Sequence, residues 1–216
     1  MSHRVFFASD LHLGVPNNNS SLKRELKFVE WLNNAVAEGA TEIHLLGDLF
    51  EFWFEYKNVV PKGGIRLLGT IAKITDSGIP VHYHLGNHDL WLREWFDKGG
   101  IPHTVWIKQG ARETFESYGI YNLNDAENQI SKIPKIHIDF YKNIIQDYYY
   151  DENIVSIHGG FTNAGQMKTI SLKESMPYEQ LYQMIWDRRF IFTKLQEEKT
   201  MFNQYFNDRF LVVGHT

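Results

Sequence analysis

The first 83 residues alternate three short apolar segments with two segments of helical periodicity. Strands are predicted at residues 4–9, 42–46 and 79–83, each of which leads into polar residues. Residues 22–38 and 65–75 carry apolar side chains three to four positions apart, which is the spacing of an amphipathic helix. A β-α-β-α-β order of this kind predicts an α/β fold.

The second half of the chain repeats this pattern less regularly. Residues 153–157 and 209–213 are predicted to be strands, and residues 136–146 and 178–195 are predicted to be helical. No internal repeat or low-complexity linker interrupts the chain, so we expect a single domain over residues 1–216. Loops are predicted at residues 16–21, 57–64 and 119–129.

Composition excludes several functional classes. The 216 residues carry a formal net charge of −4, which gives no electrostatic basis for binding nucleic acid. There is no cysteine, so any metal must be bound by His, Asp, Glu or Asn. No apolar run approaches the ~20 residues that span a membrane, and the amino-terminal apolar run is too short for a secretory signal. We therefore expect a cytoplasmic protein, with peripheral membrane contact left open.

Polar side chains that are costly to bury follow each predicted strand. Asn87, His88 and Asp89 show this most clearly, because they come directly after the strand at residues 79–83. Ligands of α/β sheets bind at the carboxyl ends of the strands, so these side chains can converge at one edge. Oxygen ligands mixed with imidazoles suit Mn²⁺, Fe or Zn²⁺ better than Ca²⁺. The residues at the strand ends are Asp10, His12, Asp48, Asn87, His88, Asp89, His158 and His215.

The number of these residues predicts two divalent metal ions, with Mn²⁺ favoured. Asp10 and His12 are two positions apart on an extended segment, so both can bind one ion. Asp48 can give one carboxylate oxygen to each ion and is the predicted bridge. Two ions ~3.5–4 Å apart stabilise in-line displacement at phosphorus, with a bridging hydroxide as the nucleophile. The predicted ligands of the second ion are Asp48, Asn87, His158 and His215.

His88 lies one residue beyond a predicted ligand, so we expect it to protonate the leaving-group oxygen. Asp89 is expected to orient the His88 imidazole, as a carboxylate does in acid–base catalysis. An alternative is that Asn87, His88 and Asp89 form an ordinary turn with Asx hydrogen bonds. The presence of such residues at five strand ends favours the metal site.

The remaining histidines have no motif around them. His82 and His84 alternate along the strand that precedes the turn, so we expect them to pack or to hydrogen-bond locally. The histidines for which no role is predicted are His3, His44, His103 and His137.

The order of the strand-end motifs resembles the calcineurin-like metallophosphoesterase superfamily. The resemblance covers nearly the whole chain, and it implies a four-layer α/β/β/α sandwich with a two-metal site. It also implies the roles given above for the matching residues. Relative to the family pattern, the sequence is short at its carboxyl end. The motifs are Asp10-Leu-His12, Gly47-Asp48, Gly86-Asn-His-Asp89, His158-Gly159 and Gly214-His215.

The two halves of the chain resemble different members of that superfamily. Residues 1 to about 103 resemble UDP-2,3-diacylglucosamine hydrolases through the segments SDLHLG, GDLFEFWFEYKNVVPKG and GNHDLWL. From about residue 105, the chain resembles bacterial Ser/Thr protein phosphatases of the PPP family through SIHGGF, MIWDRRF and VVGHT. A recombined or engineered chain would produce such a seam near residue 104.

Each half departs from the pattern of the other family. Ser/Thr phosphatases usually carry a phosphate-binding Arg after Gly-Asp, where this chain has Phe52. Arg188 matches their second phosphate-binding Arg, with Arg189 as the alternative if the register differs by one. Arg188 and Asn87 are therefore the predicted substrate-binding residues. The lipid hydrolases continue Gly-His-Thr into a further metal-binding His, whereas this sequence ends at Thr216.

Aromatic residues cluster after two of the motifs. Residues 50–54 together with Trp91, Trp95 and Phe96 could form a wall for acyl chains or could pack into the core. Core packing is favoured because no matching lid segment is visible.

These features together predict a binuclear metal-dependent phosphoesterase. The leading substrate class is phosphomonoesters, including phosphoproteins, because the second half is expected to shape the other wall of the site. One alternative is pyrophosphate cleavage in a UDP-2,3-diacylglucosamine-type lipid. A second alternative is a metal-binding domain without catalytic activity.

Overall fold

Two three-stranded sheets form the centre of the described structure. In this computed structural model, the first sheet has the order β1 (Val5–Ala8), β2 (Glu42–Leu45) and β3 (Val81–Tyr83), and all of its strands are parallel. The second sheet contains β4 (Tyr149–Tyr150), β5 (Ile154–Ile157) and β6 (Phe210–Val213). Strand β5 is antiparallel to β4 and parallel to β6. The structure describes residues 3–14, 17–51, 63–99, 104–125, 127–190, 202–207 and 209–215.

Two amphipathic helices connect the strands of the first sheet. Helix α1 (Asn18–Ala37) buries Phe28, Leu32 and Ala35, and α2 (Ile65–Asp76) buries Leu67 and Ile74. These side chains form one apolar cluster with the first sheet, which includes the fully buried Ile43 of β2. The β-α-β-α-β order predicted for residues 4–83 is confirmed.

Helix α1 begins earlier than the sequence suggested. Residues 16–21 are predicted to be a loop, but the helix starts at Asn18. The reason is that the Asn17 side chain accepts a hydrogen bond from the Ser20 backbone N–H at 3.0 Å and caps the first turn. The prediction of a loop through residue 21 is therefore wrong for Asn18–Ser21.

Shorter helices pack around the second sheet. The segment predicted as a helix over 136–146 divides into α6 and a wider helical turn at Phe140–Ile144. Helix α8 ends at Trp186, so the predicted helix over 178–195 is too long, and residues 191–195 lie outside the described part of the chain. The predicted loop over 119–129 contains short 3₁₀ turns, and residues 57–62 also lie outside the described part. The helices are α3 (Asn87–Lys98), α4 (Thr104–Trp106), α5 (Arg112–Ser117), α6 (Lys135–Asp139), α7 (Ala164–Ser171) and α8 (Tyr178–Trp186).

The two sheets contact each other through polar and aromatic side chains. The ring of His44 on β2 lies 4.6 Å from that of Tyr149 on β4, and the Ser156 hydroxyl lies 3.5 Å from His84 Nε2. Helices cover the outer sides, so the mixed α/β architecture is consistent with the sandwich that the resemblance implies. The assignment of residues 1–216 to one domain stays a prediction.

Core packing, which the sequence analysis favours for the clustered aromatic residues, is confirmed for those on α3. Trp91, Trp95 and Phe96 on α3 are each no more than 5% exposed and belong to an apolar cluster between α3, α8 and the second sheet. Residues 52–54 lie outside the described part of the chain. Within the described residues, no helix combines the length and apolar character needed to span a bilayer.

Candidate metal centre

The residues that follow five strands converge on Asp48. Ligand atoms of Asp10, Asp48, His158 and His215 all lie within 4.8 Å of one another. A second group with the same separation consists of His12, Asp48 and His88. Asp48 therefore belongs to both groups, which is the position expected of a bridging carboxylate. The structure thus brings the members of both groups together at the carboxyl ends of the strands.

Four of these residues adopt a backbone conformation that side-chain-bearing residues rarely take. The described structure contains six non-glycine residues with positive φ, and four of them belong to the two groups. Such conformations cost about 1–3 kcal/mol each and are concentrated at functional sites. Backbone hydrogen bonds from Asp10 to Gly47 and from His12 to Asp48, at 3.2 and 3.0 Å, hold the segments in place. The four residues are Asp10, His12, Asp48 and His215, with φ values of 56°, 44°, 53° and 53°.

Two glycines allow the strand ends to approach closely. Gly47 has φ +83°, and a Cβ there would lie 2.6 Å from Gly86 Cα and 2.9 Å from His158 Nδ1. A Cβ at Gly86 would overlap the Asp48 carboxylate and lie 2.6 Å from its backbone nitrogen. The absence of side chains at these positions lets Asp48, Asn87 and His158 share one site.

The arrangement around His158 fits a bound cation. Its Nδ1 donates a hydrogen bond to the Leu46 carbonyl, so Nε2 is left with a lone pair. That Nε2 lies 3.2 Å from Asn87 Oδ1, 3.6 Å from Asp48 Oδ2 and 3.0 Å from His215 Nδ1. His158 and Asp48 are almost completely buried, so little water can reach these acceptor atoms. The single N–H of His215 Nδ1 can satisfy only one of the converging acceptors His158 Nε2, Asn87 Oδ1 and Asp48 Oδ2, whereas a divalent cation can satisfy all three.

The His12 imidazole is held between two carboxylates. Its Nδ1 lies 2.7 Å from Glu51 Oε2, and its Nε2 lies 3.7 Å from Asp10 Oδ1. These two contacts raise the pKa of His12 to about 10. Burial alone would raise the pKa of Asp10, but hydrogen bonds with His12 and Ser9 lower it to about 2. The pair is therefore charged around neutral pH while no metal is bound.

Glu51 is a site residue that the sequence analysis missed. Besides its contact with His12, its Oε1 lies 3.9 Å from His88 Nε2. The sequence feature that could have identified Glu51 is its position three residues after Asp48, in Gly47-Asp48-Leu-Phe-Glu51. The sequence analysis gave Asp48 a role in this segment but gave none to Glu51.

Asp89 is oriented differently from the expectation. Its carboxyl accepts a hydrogen bond from the Gly86 backbone N–H at 3.0 Å and one from the Tyr83 hydroxyl at 3.5 Å. Burial, reinforced by repulsion from Asp48, raises the pKa of Asp89 to about 8. Among the described contacts, no hydrogen bond or ion pair joins Asp89 to the His88 imidazole. Asp89 is thus better assigned to capping α3 than to orienting His88, which is approached by Glu51 instead.

Of the two arginines considered for phosphate binding, Arg188 lies at the site. Its Nε donates a hydrogen bond of 2.8 Å to His215 Nε2, and the residue is exposed to solvent. Burial, with further contributions from His158 and Arg188, lowers the pKa of His215 to about 4. The Arg189 side chain is 79% exposed and lies 3.4 Å from Asp187 Oδ1.

Comparison with known proteins agrees with this geometry. A sequence model of the calcineurin-like phosphoesterase family matches residues 3–216. The chain belongs to this family. The match extends across both sheets, so the five strand ends that meet at Asp48 all lie within the family domain.

Three curated relatives of this calcineurin-like phosphoesterase each match less than half of the chain, in its amino-terminal part. The UDP-2,3-diacylglucosamine hydrolase of Porphyromonas gingivalis is 38% identical over 98 residues, which are 45% of this chain and 37% of the relative. The enzyme of the same name from Vibrio vulnificus is 36% identical over 92 residues, 43% of this chain and 35% of the relative. The enzyme of that name from Stenotrophomonas maltophilia is 34% identical over 90 residues, which are 42% of this chain and 34% of the relative. The chain thus spans little more than a third of the length of these curated relatives. The resemblance of the second half to Ser/Thr phosphatases stays a prediction.

Proposed function

We propose that this calcineurin-like phosphoesterase is a binuclear metal-dependent hydrolase that prefers phosphomonoesters. The observation that carries the proposal is the membership of Asp48 in both groups of ligand atoms. One carboxylate surrounded by two sets of donors is the arrangement that a two-metal phosphoesterase needs. We further propose that the enzyme acts in the cytoplasm.

The donor set fits two divalent ions, and Mn²⁺ is the favoured metal. Oxygen and imidazole donors occur together and cysteine is absent, which disfavours soft metals. Such ions, when bound, lower the pKa of a water and neutralise phosphoryl oxygens. The proposed ligands are Asp10, His12 and Asp48 for one ion and Asp48, Asn87, His158 and His215 for the other.

Residues around the metal ligands would bind and protonate the substrate. Arg188 is exposed beside His215, where its remaining N–H groups can bind phosphate oxygens. Asn87 is the second proposed substrate contact. His88 lies beside Asp48, whose Oδ1 accepts a hydrogen bond from the His88 backbone N–H at 3.3 Å. The His88 imidazole can protonate the leaving oxygen.

Hydrolysis of two chromogenic esters tests this proposal. We expect Mn²⁺-dependent release of p-nitrophenol from p-nitrophenyl phosphate to be faster than from bis-p-nitrophenyl phosphate. Chelator and Asp48→Asn should both abolish turnover, whereas Lys27→Gln on the exposed surface of α1 serves as the matched control. Activity that survives Asp48→Asn would contradict the two-metal site. A preference for the diester would contradict the monoester assignment alone.

Cleavage of a nucleotide-linked lipid is the second candidate function. The relatives named UDP-2,3-diacylglucosamine hydrolase favour it, as does an apolar cavity of about 210 Å³. Phe50 and Tyr141 line this cavity and also a smaller one that contains Glu51 and His88, so an apolar chain could lie beside the site. The test is incubation with UDP-2,3-diacylglucosamine, in which release of UMP rather than inorganic phosphate supports this candidate.

A domain that binds metal without catalysis predicts a third result. It would retain two Mn²⁺ ions by direct metal analysis and would hydrolyse none of the three substrates. Loss of the metals as well would point to an incorrectly formed site.

A further inference from the structure

A third group of potential metal ligands lies away from the centre described above. Ligand atoms of Glu42, His44 and His82 are all within 4.8 Å of one another. Glu42 is the first residue of β2, whereas Asp48 follows the carboxyl end of the same strand. The third group thus lies on the paired strands β2 and β3 themselves, before the strand ends that carry Asp48 and Asn87. No step of the proposed phosphoester hydrolysis uses Glu42, His44 or His82.

The register of the first sheet brings these three side chains together. Glu42 and His44 are two positions apart on β2, so they point to the same face of the sheet. His82 on β3 is the direct partner of His44 in the parallel pairing. The two imidazoles stack with their centroids 4.6 Å apart. The group is thus fixed by strand pairing and does not depend on a loop conformation.

The separations match those of ligands around one ion. Glu42 Oε1 lies 2.7 Å from His82 Nε2 and 3.6 Å from His44 Nε2. Ligands bound tetrahedrally at ~2.0–2.1 Å from zinc are separated from one another by roughly 3.3 Å. Small side-chain rotations would bring both distances to that value. Two imidazoles and one carboxylate form a ligand set that Zn²⁺ uses in proteins.

His44 provides a second and independent indication. Its side chain is completely buried, and its Nε2 has no hydrogen-bond partner within the part of the chain that the structure describes. Its other nitrogen, Nδ1, lies 3.0 Å from His84 Nε2. When Nδ1 carries the proton and donates a hydrogen bond to His84 Nε2, Nε2 of His44 presents its lone pair toward Glu42. A metal-binding histidine is normally held in this way by a hydrogen bond from its other ring nitrogen.

A simple ion pair explains the group less completely. A protonated His82 could pair with Glu42, and the half-exposed His3 lies 3.4 Å from Glu42 Oε2. That arrangement would leave the buried Nε2 of His44 without a partner, which is unfavourable by ~1–3 kcal/mol. A cation between Glu42, His44 and His82 satisfies all three groups. The His82 side chain is 20% exposed, which places the group near the protein surface.

We propose that Glu42, His44 and His82 bind a further divalent transition-metal ion, with Zn²⁺ preferred, in a structural site separate from the centre at Asp48. Tyr149 of β4 packs against both imidazoles, with ring centroids 4.6 Å from His44 and 5.0 Å from His82. The ion would therefore brace the first sheet where it contacts the second.

Zinc stoichiometry provides the test. Metal-free protein is titrated with Zn²⁺ alone, and bound metal is counted by equilibrium dialysis followed by elemental analysis. We expect His82→Gln to bind one equivalent less than the unsubstituted protein, with the affinity of the lost site reduced at least about tenfold. His137→Gln is the matched control because its imidazole contacts the Tyr118 hydroxyl, away from both groups. The control should bind as many equivalents as the unsubstituted protein.

Two further measurements keep the test decisive. Glu42→Gln preserves side-chain shape, so it should also lose one equivalent even if His82→Gln folds poorly. Asp48→Asn should retain the third ion and still show a zinc-dependent rise in Tm, and the double variant Asp48→Asn/His82→Gln should show a smaller rise than Asp48→Asn. Equal zinc stoichiometry and an equal rise in Tm for His82→Gln, Glu42→Gln and the unsubstituted protein would overturn the proposal.

Discussion

Replacing Glu51 with Gln would test whether this carboxylate supports the metal centre through His12. The substitution keeps the size of the side chain and removes its negative charge. Glu51 Oε2 lies 2.7 Å from His12 Nδ1, which is the length of a charge-assisted hydrogen bond. A carboxylate in this position holds the imidazole so that Nε2 can face a metal ion.

The expected loss can be estimated from the exposure of His12. Removing a group that supports a metal-binding histidine costs ~10–100-fold in metal affinity, or ~1.4–2.7 kcal/mol. The His12 side chain is 35% exposed, so water can replace part of the lost hydrogen bond. We therefore expect Glu51→Gln to weaken the binding of one Mn²⁺ ion roughly tenfold, near the lower end of that range.

A Mn²⁺ titration of metal-free protein measures this effect directly. Glu30→Gln, an exposed position on α1, is the matched control and should bind both ions normally. The activity of Glu51→Gln should recover when Mn²⁺ is raised, because only affinity for the ion is reduced. Unchanged Mn²⁺ affinity in Glu51→Gln would refute the reasoning, and an activity loss that excess Mn²⁺ does not restore would assign Glu51 to His88 instead.

Three other substitutions separate the remaining roles. His88→Asn should keep both metals and slow kcat by ~10²–10⁴-fold, which is the usual contribution of a positioned acid. Because His88 is also grouped with His12 and Asp48, loss of a metal ion in this variant would instead identify His88 as a ligand. Arg188→Ala should raise KM for p-nitrophenyl phosphate by roughly tenfold or more, since a hydrogen bond to a charged group contributes ~1.5–3 kcal/mol, and an unchanged KM would remove it from the substrate site. Gly86→Ala should lower the free energy of unfolding by ~1–3 kcal/mol and abolish metal binding, because the new Cβ would overlap the Asp48 carboxylate. A normal Tm and a normal metal content would show that the strand ends can separate.

The first half of the fold could be predicted because its signals are local. Apolar periodicity identified α1, α2 and the first three strands, and only the start of α1 was misplaced. The error came from Asn17 and its neighbours, whose residue types are common both in loops and at helix caps. The length of α8 was misjudged because periodicity continues past Trp186 while the helix does not.

The candidate centre could be predicted for a different reason. Ligands at strand ends are brought together by the topology of a parallel sheet, so their order in the sequence was informative. The contact between Glu51 and His12, and the position of Asp89 at the helix cap, depend on side-chain directions that spacing does not determine. The same holds for Glu42, His44 and His82, since only the pairing of β2 with β3 places the two histidines side by side.

The left-handed backbone at four site residues has a consequence for the evolution and engineering of this chain. Glycine adopts that conformation without strain, whereas histidine does not. Selection for thermal resistance alone should therefore enrich glycine at His215, which, unlike His12, has no ion pair with a carboxylate among the described contacts, and every such variant would lose a candidate ligand. A library screened for heat tolerance and then for turnover would thus divide at this position, with the most heat-tolerant clones among the least active.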